Sequence, residues 1–393
     1  MRDSRMTKVS RLGFAWAFIS LIAIFCCHSL RQLWSGVGNH PSRQSLKERL
    51  VGKLLWKERF VDLNGGMTRL AGRRMCNSRM LYSDGSLGYQ YSARHASNED
   101  FVESVAWLAK RVNAYGIPFL YVQAPAKFPL RGNMMPTGWE FENPNIRATC
   151  VVGDLDRLGI GTLDLVGTFA STEEDVEKNF FRTDHHWRIH AAFGATKLLA
   201  DRLADLLNVP ALRDAAPLME GNWERRMADD GFLGAHGRRT GRFFAGVDDF
   251  AYFVPRFDTD FVRTVDGEQT VRGAFVSTLL DMHVLSARSM HKRNAYAIYG
   301  RDAGRVTIQN KNAMTTVRVM IVKDSFANPV AAFLATVCRE VIVVDPRMLG
   351  SLSDVIDIAA ACRPDVVVEL VNPGAIGNAK FMCNPATQPL IPQ

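Results

Sequence analysis

The chain has 393 residues, 47% of them hydrophobic, which is enough for one large core or two modest ones. Its net charge of +8 is thinly spread, and no basic run interleaved with aromatics occurs, so nothing points to a nucleic-acid partner. Seven cysteines without a repeated spacing and without a Cys-x-x-Cys pair exclude a disulfide framework and a zinc or dithiol site, leaving room for a single bridge.

In chain order, Arg2, Arg5, Lys8 and Arg11, set against Asp3, precede Leu12–Leu30, a run apolar apart from Ser20, His28 and Ser29. As a helix these residues reach about 28 Å, enough to cross the hydrocarbon core of a bilayer. The basic lead predicts a cytoplasmic N-terminus with the remainder outside. No Ala-x-Ala site follows the run, which favours an uncleaved anchor over a signal peptide. Residues 1–35 are thus expected to form a tail and membrane anchor. Residues 36–90 read as a stalk and lead-in, with helical pattern over Leu46–Phe60 and a turn-rich stretch at Tyr82–Gly88 that joins short strands.

Residues 91–393 carry an α/β pattern. Phe101, Val105, Leu108 and Val112 recur at helical spacing within Glu99–Tyr115, and Gly116 ends that helix. Ile117–Gln123 reads as a buried strand that leaves through the loop Ala124-Pro125-Ala126-Lys127. A further helix and strand fall within Val152–Leu165, Glu173–Asn179 reads as an acidic loop, and Ala191–Leu207 as an amphipathic helix. Between about 211 and 304 the pattern changes to alternating Gly, Arg, Asp and aromatics, expected to be a strand-rich insertion. The alternation then resumes with strand Val317–Val322, helix Pro329–Cys338, strand Glu340–Val344, helix Leu352–Cys362 and strand Asp365–Leu370. This succession predicts a sandwich around a mostly parallel sheet.

Two stretches carry chemistry. The buried strand Val317–Val322 ends abruptly in Lys323-Asp324-Ser325-Phe326, ahead of a helix. A serine at that junction presents its hydroxyl on a sharp turn, with its N–H near a helix N-terminus. Upstream lies Thr183-Asp184-His185-His186-Trp187. A serine nucleophile needs a base, and the base needs an acid that fixes its tautomer. In an extended segment Asp184 and His186 fall on one side and His185 on the other. Two other readings stay open: Asp184 as a helix cap beside surface histidines, or His186 and His190 as a metal pair at i, i+4 with Asp184 as a third ligand.

Taken together, Thr183-Asp-His-His-Trp187 and Val322-Lys-Asp-Ser-Phe-Ala-Asn328 resemble the DHHW protein family, related to the SGNH-like enzymes of alginate O-acetylation. Those enzymes carry Asp-x-His-Trp and a later Gly-Asp-Ser in this order; here Lys323 stands in place of the glycine. The resemblance implies an SGNH-hydrolase-like three-layer α/β sandwich, with Ser325 as nucleophile, His186 as base and Asp184 as orienting acid. Arg347, at the end of a late strand, is a candidate for holding an anionic or sugar group. Asn328 is a candidate oxyanion donor and Lys127 a candidate pocket lysine. The implied activity is O-acyl transfer, acetyl above all, onto a cell-surface or secreted polysaccharide through an acyl-enzyme, outside the cytoplasm. No nucleotide-binding loop suggests an acyl-CoA pocket, and no cofactor or metal is expected. By analogy, a multi-span membrane acyltransferase would deliver the acyl group. The alternatives are an esterase with the same triad, and a non-catalytic polysaccharide-assembly protein that keeps the fold.

Overall fold

A computed structural model describes residues 56–91, 98–228, 231–300 and 302–382. The predicted span Leu12–Leu30 and the helical pattern ahead of Trp56 lie outside these residues. No helix among the described residues is long and apolar enough to cross a membrane.

Helix α1 (Lys57–Leu70) leads into a small antiparallel sheet of β1 (Met75–Cys76), β2 (Arg79–Leu81) and β3 (Leu87–Gly88). Then come α2 (Asn98–Asn113), β4 (Phe119–Gln123), α3 (Pro144–Arg157), β5 (Gly161–Asp164) and α4 (Ile189–Leu207). Next are β6 (Trp223–Met227), β7 (Ala251–Pro255), β8 (Phe261–Val265), β9 (Gln269–Gly273) and β10 (Arg305–Asn310). The chain closes with β11 (Arg318–Lys323), α5 (Ala327–Leu334), β12 (Glu340–Val344), α6 (Leu352–Cys362) and β13 (Val366–Val371).

The main sheet has eight strands in the order β5-β4-β13-β11-β12-β10-β8-β9. The five from β5 to β12 are parallel, whereas β10, β8 and β9 extend the β12 edge antiparallel. The parallel strands are short apolar runs because both faces are covered. Val319, Ile321, Val366 and Val368 turn to the layer that holds α4 and α5, while Met320, Val322, Val367 and Val371 turn to the layer of α2, α3 and α6. Pro329 sits in the first turn of α5, where its missing N–H costs nothing, and every residue of that helix is buried.

Several expectations change. The described part of the lead-in is no free stalk: Met80 and Tyr82 enter the large core, and Leu81 and Leu87 pack on Phe244 and Ala245. Glu173–Asn179 is a helix, closed by a capping box in which Thr172 Oγ1 accepts from the Asp175 N–H and Asp175 accepts from the Thr172 N–H. Strand β10 was not anticipated, and the insertion does not stand apart, since β8 and β9 join the main sheet through it. Cys338 and Cys362, read as helix residues, are both free thiols; Cys338 is buried just beyond α5 and Cys362 ends α6.

Glu369 interrupts this apolar pattern. It lies in the middle of β13, fully buried, with Oε2 unpartnered among the described residues, and burial pushes its carboxyl up to about 8. A raised folded-state value means stability is complete below about 4.5 and drains away as pH rises towards 8. Glu369→Gln is expected to match the parent near pH 4.5 and to exceed it increasingly up to pH 8, by about 1.4 kcal/mol per pH unit, in urea midpoints.

Candidate active site

β11 is an interior strand of the parallel set, flanked by β13 and β12, and its C-terminal end opens into the turn that carries Ser325. Asp324 fixes that turn. Its Oδ1 accepts from the Phe326 N–H at 2.9 Å and its Oδ2 from the Asn372 N–H at 2.7 Å, tying the ends of β11 and β13 together. Burial pushes the Asp324 carboxyl up, partly offset by those backbone donors.

The segment carrying Asp184 is held from several sides. The Phe180–Trp187 bridge closes it into a loop. Asp248 accepts from the Arg182 N–H at 2.6 Å, the Thr183 N–H at 2.7 Å and the Thr183 hydroxyl at 2.6 Å. Ala235 N–H donates to Asp184 Oδ2 at 2.6 Å, and Gly234 N–H donates to Thr183 Oγ1 at 2.9 Å. Lys127 also acts here: its buried ammonium donates to the carbonyls of Leu87 and Arg182, each at 2.8 Å, and of Asp184 at 3.1 Å. Burial lowers its value to about 8. Lys127 borders the cavity, but its three protons are spent on the backbone.

Asp184, His186 and Ser325 meet. His186 Nδ1 lies 2.7 Å from Asp184 Oδ1, and His186 Nε2 lies 2.7 Å from Ser325 Oγ. Tyr296 stacks on the His186 ring at 3.9 Å, its hydroxyl accepting from Trp187 Nε1 at 3.1 Å. Burial works against the charge on Asp184, but His186 and His185 hold its carboxyl well below the usual range. Burial, reinforced by His185, pushes His186 down to about 4. The imidazole is therefore neutral at neutral pH, with a proton on Nδ1 for Asp184 and a lone pair on Nε2 for the serine hydroxyl.

His185 departs from expectation. The segment is bent, not extended, because the His186 N–H folds back onto Asp184 Oδ1 at 3.1 Å. His185 Nδ1 consequently also lies 3.2 Å from Asp184 Oδ1, and the two imidazoles sit 3.9 Å apart. A third imidazole, His236, is buried 5.4 Å from His185; it accepts from Arg79 Nε at 2.9 Å and packs on Tyr89. His190 turns away to Asn179 at 3.3 Å, so the i, i+4 metal pair does not form. Asp184, His185 and His186 present donor atoms within 4.8 Å of one another. Both nitrogens of His186 are engaged, Nδ1 with Asp184 and Nε2 with Ser325, so a metal taking either one and the hydrogen-bonded relay exclude each other.

Two other candidates are occupied elsewhere. Asn328 lies inside α5 and donates to the Gly300 carbonyl at 3.3 Å. Arg347 gives Nε to Asp345 Oδ1 at 2.9 Å and Nη2 to Asp345 Oδ2 at 2.6 Å, and reaches Asp302 at 3.1 Å. Lys323, where the related motif has glycine, is buried beside it, 3.0 Å from Asp345. The guanidinium is a wall of the cavity whose charge is already matched.

The cavity has a volume of about 660 Å³, and Tyr89, Tyr91, His185, Ser325, Arg347 and Asn372 are among the residues lining it. Asn372, Tyr296, Asp248 and Ala235 were missed in the sequence. Of these only Asn372 had a local signal, the Asn-Pro-Gly turn that ends β13.

Residues 80–229 match the family described as SGNH hydrolase-like domain, acetyltransferase AlgX. That span contains Asp184 and His186 but stops short of Ser325. The resemblance read from the paired motifs is borne out. Among solved structures, Bacillus cereus PatB1 with a sulfonyl adduct superposes with a TM-score of 0.60 at 16% identity, covering 77% of this chain and 96% of that one. A DHHW family protein from Eubacterium siraeum gives 0.58 at 16% identity, covering 78% and 94%. No curated protein sequence matches the chain. The domain has the SGNH-like fold. In this SGNH-like domain the added strands β8–β10 lie at the sheet edge away from β4 and β5.

Proposed function

We propose that the protein is an O-acyltransferase, acetyl being the group moved, that acts on a cell-surface or secreted polysaccharide outside the cytoplasm and is anchored through Leu12–Leu30. The observation that supports this reading best is the unbroken Asp184–His186–Ser325 relay at the wall of an open cavity. Ser325 Oγ attacks the acyl carbonyl of a donor as His186 Nε2 takes its proton, and Asp184 stabilises the imidazolium. The donor group leaves with that proton. A sugar hydroxyl then attacks the acyl-enzyme, giving its proton to His186, and Ser325 is released. Two donors suit the tetrahedral oxyanion: the Ser325 N–H, which has no partner among the described residues, and the side-chain amide of Asn372, whose Oδ1 is held by the Gly374 N–H at 2.5 Å. The donor is expected to come from a multi-span membrane acyltransferase, as in the enzymes of alginate O-acetylation.

Incubating the full chain with an acetyl ester and candidate glycans, and following acetyl by mass, tests the reading. Acetylated glycan supports it; free acetate alone, with no glycan acetylated, makes the protein an esterase. The low His186 value predicts its pH profile. The base stays neutral well below the 6.5 of a free imidazole, so kcat/KM is expected to hold to about pH 5 and to fall only near pH 4.

His185 lines the same cavity as Ser325, which puts its imidazole where an acceptor hydroxyl would approach the acyl-enzyme. His185→Gln is expected to leave the acyl-enzyme burst within about threefold while the ratio of transfer to hydrolysis falls about tenfold. An unchanged ratio would remove His185 from acceptor handling.

A further inference from the structure

Helix α1 is built inside out. Surface helices normally bury their apolar stripe. Here Trp56, just ahead of the helix, and Phe60, Leu63, Met67 and Leu70 within it recur at alternating spacings of four and three, and all are exposed, from 45% at Trp56 to 89% at Leu70. The face turned to the protein instead presents Asp62 and Gly65.

That orientation is fixed by specific contacts. Asp62 Oδ1 accepts from the Arg242 N–H at 2.9 Å and lies 2.9 Å from His291 Nε2, and Asp62 Oδ2 pairs with Arg242 Nε at 3.1 Å. Gly65 approaches the Thr240 carbonyl so closely that a Cβ would fall 2.0 Å from its oxygen. At Gly241, with φ +81°, a Cβ would fall 2.5 Å from the Val61 carbonyl oxygen. Rotating the helix to bury its stripe would break every one of these contacts.

The charges around the stripe have one sign. Lys57, Arg59, Arg69, Arg73 and Arg74 are exposed, whereas Asp62 is buried and Glu58 turns inward to Ser289. Phe243 extends the apolar patch beside Gly66, with the Arg242 guanidinium 4.9 Å over its ring. At the Trp56 end, Lys57, Arg59, Arg238 and Lys292 border an open groove of about 600 Å³. An apolar stripe rimmed by basic residues complements the boundary between headgroups and acyl chains of an anionic leaflet. A second copy fits worse: two heptads are short for a coiled coil, and two basic rims would face each other. The chain outside the described residues also runs into Trp56 and carries the Leu12–Leu30 run.

We propose that α1 lies on an anionic lipid surface, its Trp56–Leu70 stripe in the acyl boundary and its basic rim on lipid phosphates. This is a lateral contact, separate from any spanning segment, and it holds the domain in one orientation over the leaflet. The test uses the full chain reconstituted in vesicles of phosphatidylcholine with phosphatidylglycerol, carrying p-benzoylphenylalanine in place of Leu63 or, as control, of the exposed Tyr115 beyond α2. On irradiation, a lipid mass adduct is expected at position 63, about fivefold above that at 115, and weaker by about threefold in phosphatidylcholine alone. A dimer adduct in place of the lipid one would give the face to a second copy and overturn the proposal. Equal labelling at the two positions, or equal yield with and without phosphatidylglycerol, would overturn it as well.

Discussion

Ser325→Ala is expected to lower acetyl-ester turnover by about 10³-fold or more, His186→Ala by a similar factor, and the double variant no further. The reason is geometric. One proton path runs from Ser325 Oγ to His186 Nε2 at 2.7 Å and is anchored from His186 Nδ1 to Asp184 at 2.7 Å, so removing either end disables the same step. Ser325 borders the cavity, so its variant's thermal midpoint should stay near that of the parent, whereas His186→Ala vacates a buried site against Tyr296 and its midpoint should fall. A sulfonyl fluoride gives an independent readout: it should add mass at Ser325 in the parent and not in either variant. Activity that survived Ser325→Ala but was abolished by a chelator would sink the covalent reading and move the chemistry to a metal held by Asp184, His185 and His186.

Gly234→Ala is expected to be the most damaging small change outside the relay. Its Cβ would fall 2.4 Å from Asp184 Cβ, 2.6 Å from the Thr183 carbonyl oxygen and 2.7 Å from Asp184 Cα, none of which is the far end of a flexible side chain. The backbone of 183–184 must therefore shift, stretching the Ala235 N–H to Asp184 bond and tilting the imidazole away from Ser325. A displacement of about 1 Å in a relay of this kind costs on the order of 10²-fold in turnover, and forcing a methyl into such a contact costs about 1–3 kcal/mol in stability. Gly221→Ala, in the same insertion with open space around it, should change neither. Parent-like turnover in Gly234→Ala, measured beside that control, would mean the clamp on Asp184 is looser than its contacts imply.

Much of this arrangement could be read from residues alone, for a physical reason. Parallel strands covered on both faces must be continuous apolar runs, so Val317–Val322, Glu340–Val344 and Asp365–Leu370 announced themselves, and the helices between them followed from periodicity. Ser325 and His186 were legible because each stands beside a turn signal in a paired motif. What stayed hidden depended on partners distant in sequence. Nothing near His185 indicates that the chain bends and returns both imidazoles to one carboxylate; that bend is enforced by Asp248 and by Gly234–Ala235. Arg347 is a different case. Asp345-Pro-Arg347 places its partner two residues away, and a short-range ion pair was available as a reading. β10 is hard to read although Val306, Thr307 and Ile308 favour a strand, because so brief a run stands between the mixed insertion and the polar stretch Gln309–Asn312.

The position of β13 has a consequence for how the protein comes into being. Among the described residues it is the last strand, yet it lies between β4 and β11 in the middle of the parallel set. During synthesis the β4–β5 half, from which the chain runs on to His186, emerges first, and the β11–β12 half bearing Ser325 emerges much later. No ladder joins β4 to β11 directly, and Val366–Val371 pairs with both. A nascent or truncated chain lacking those six residues leaves the two halves of the parallel sheet unpaired, so the relay is expected to reach its full geometry only once β13 is in place.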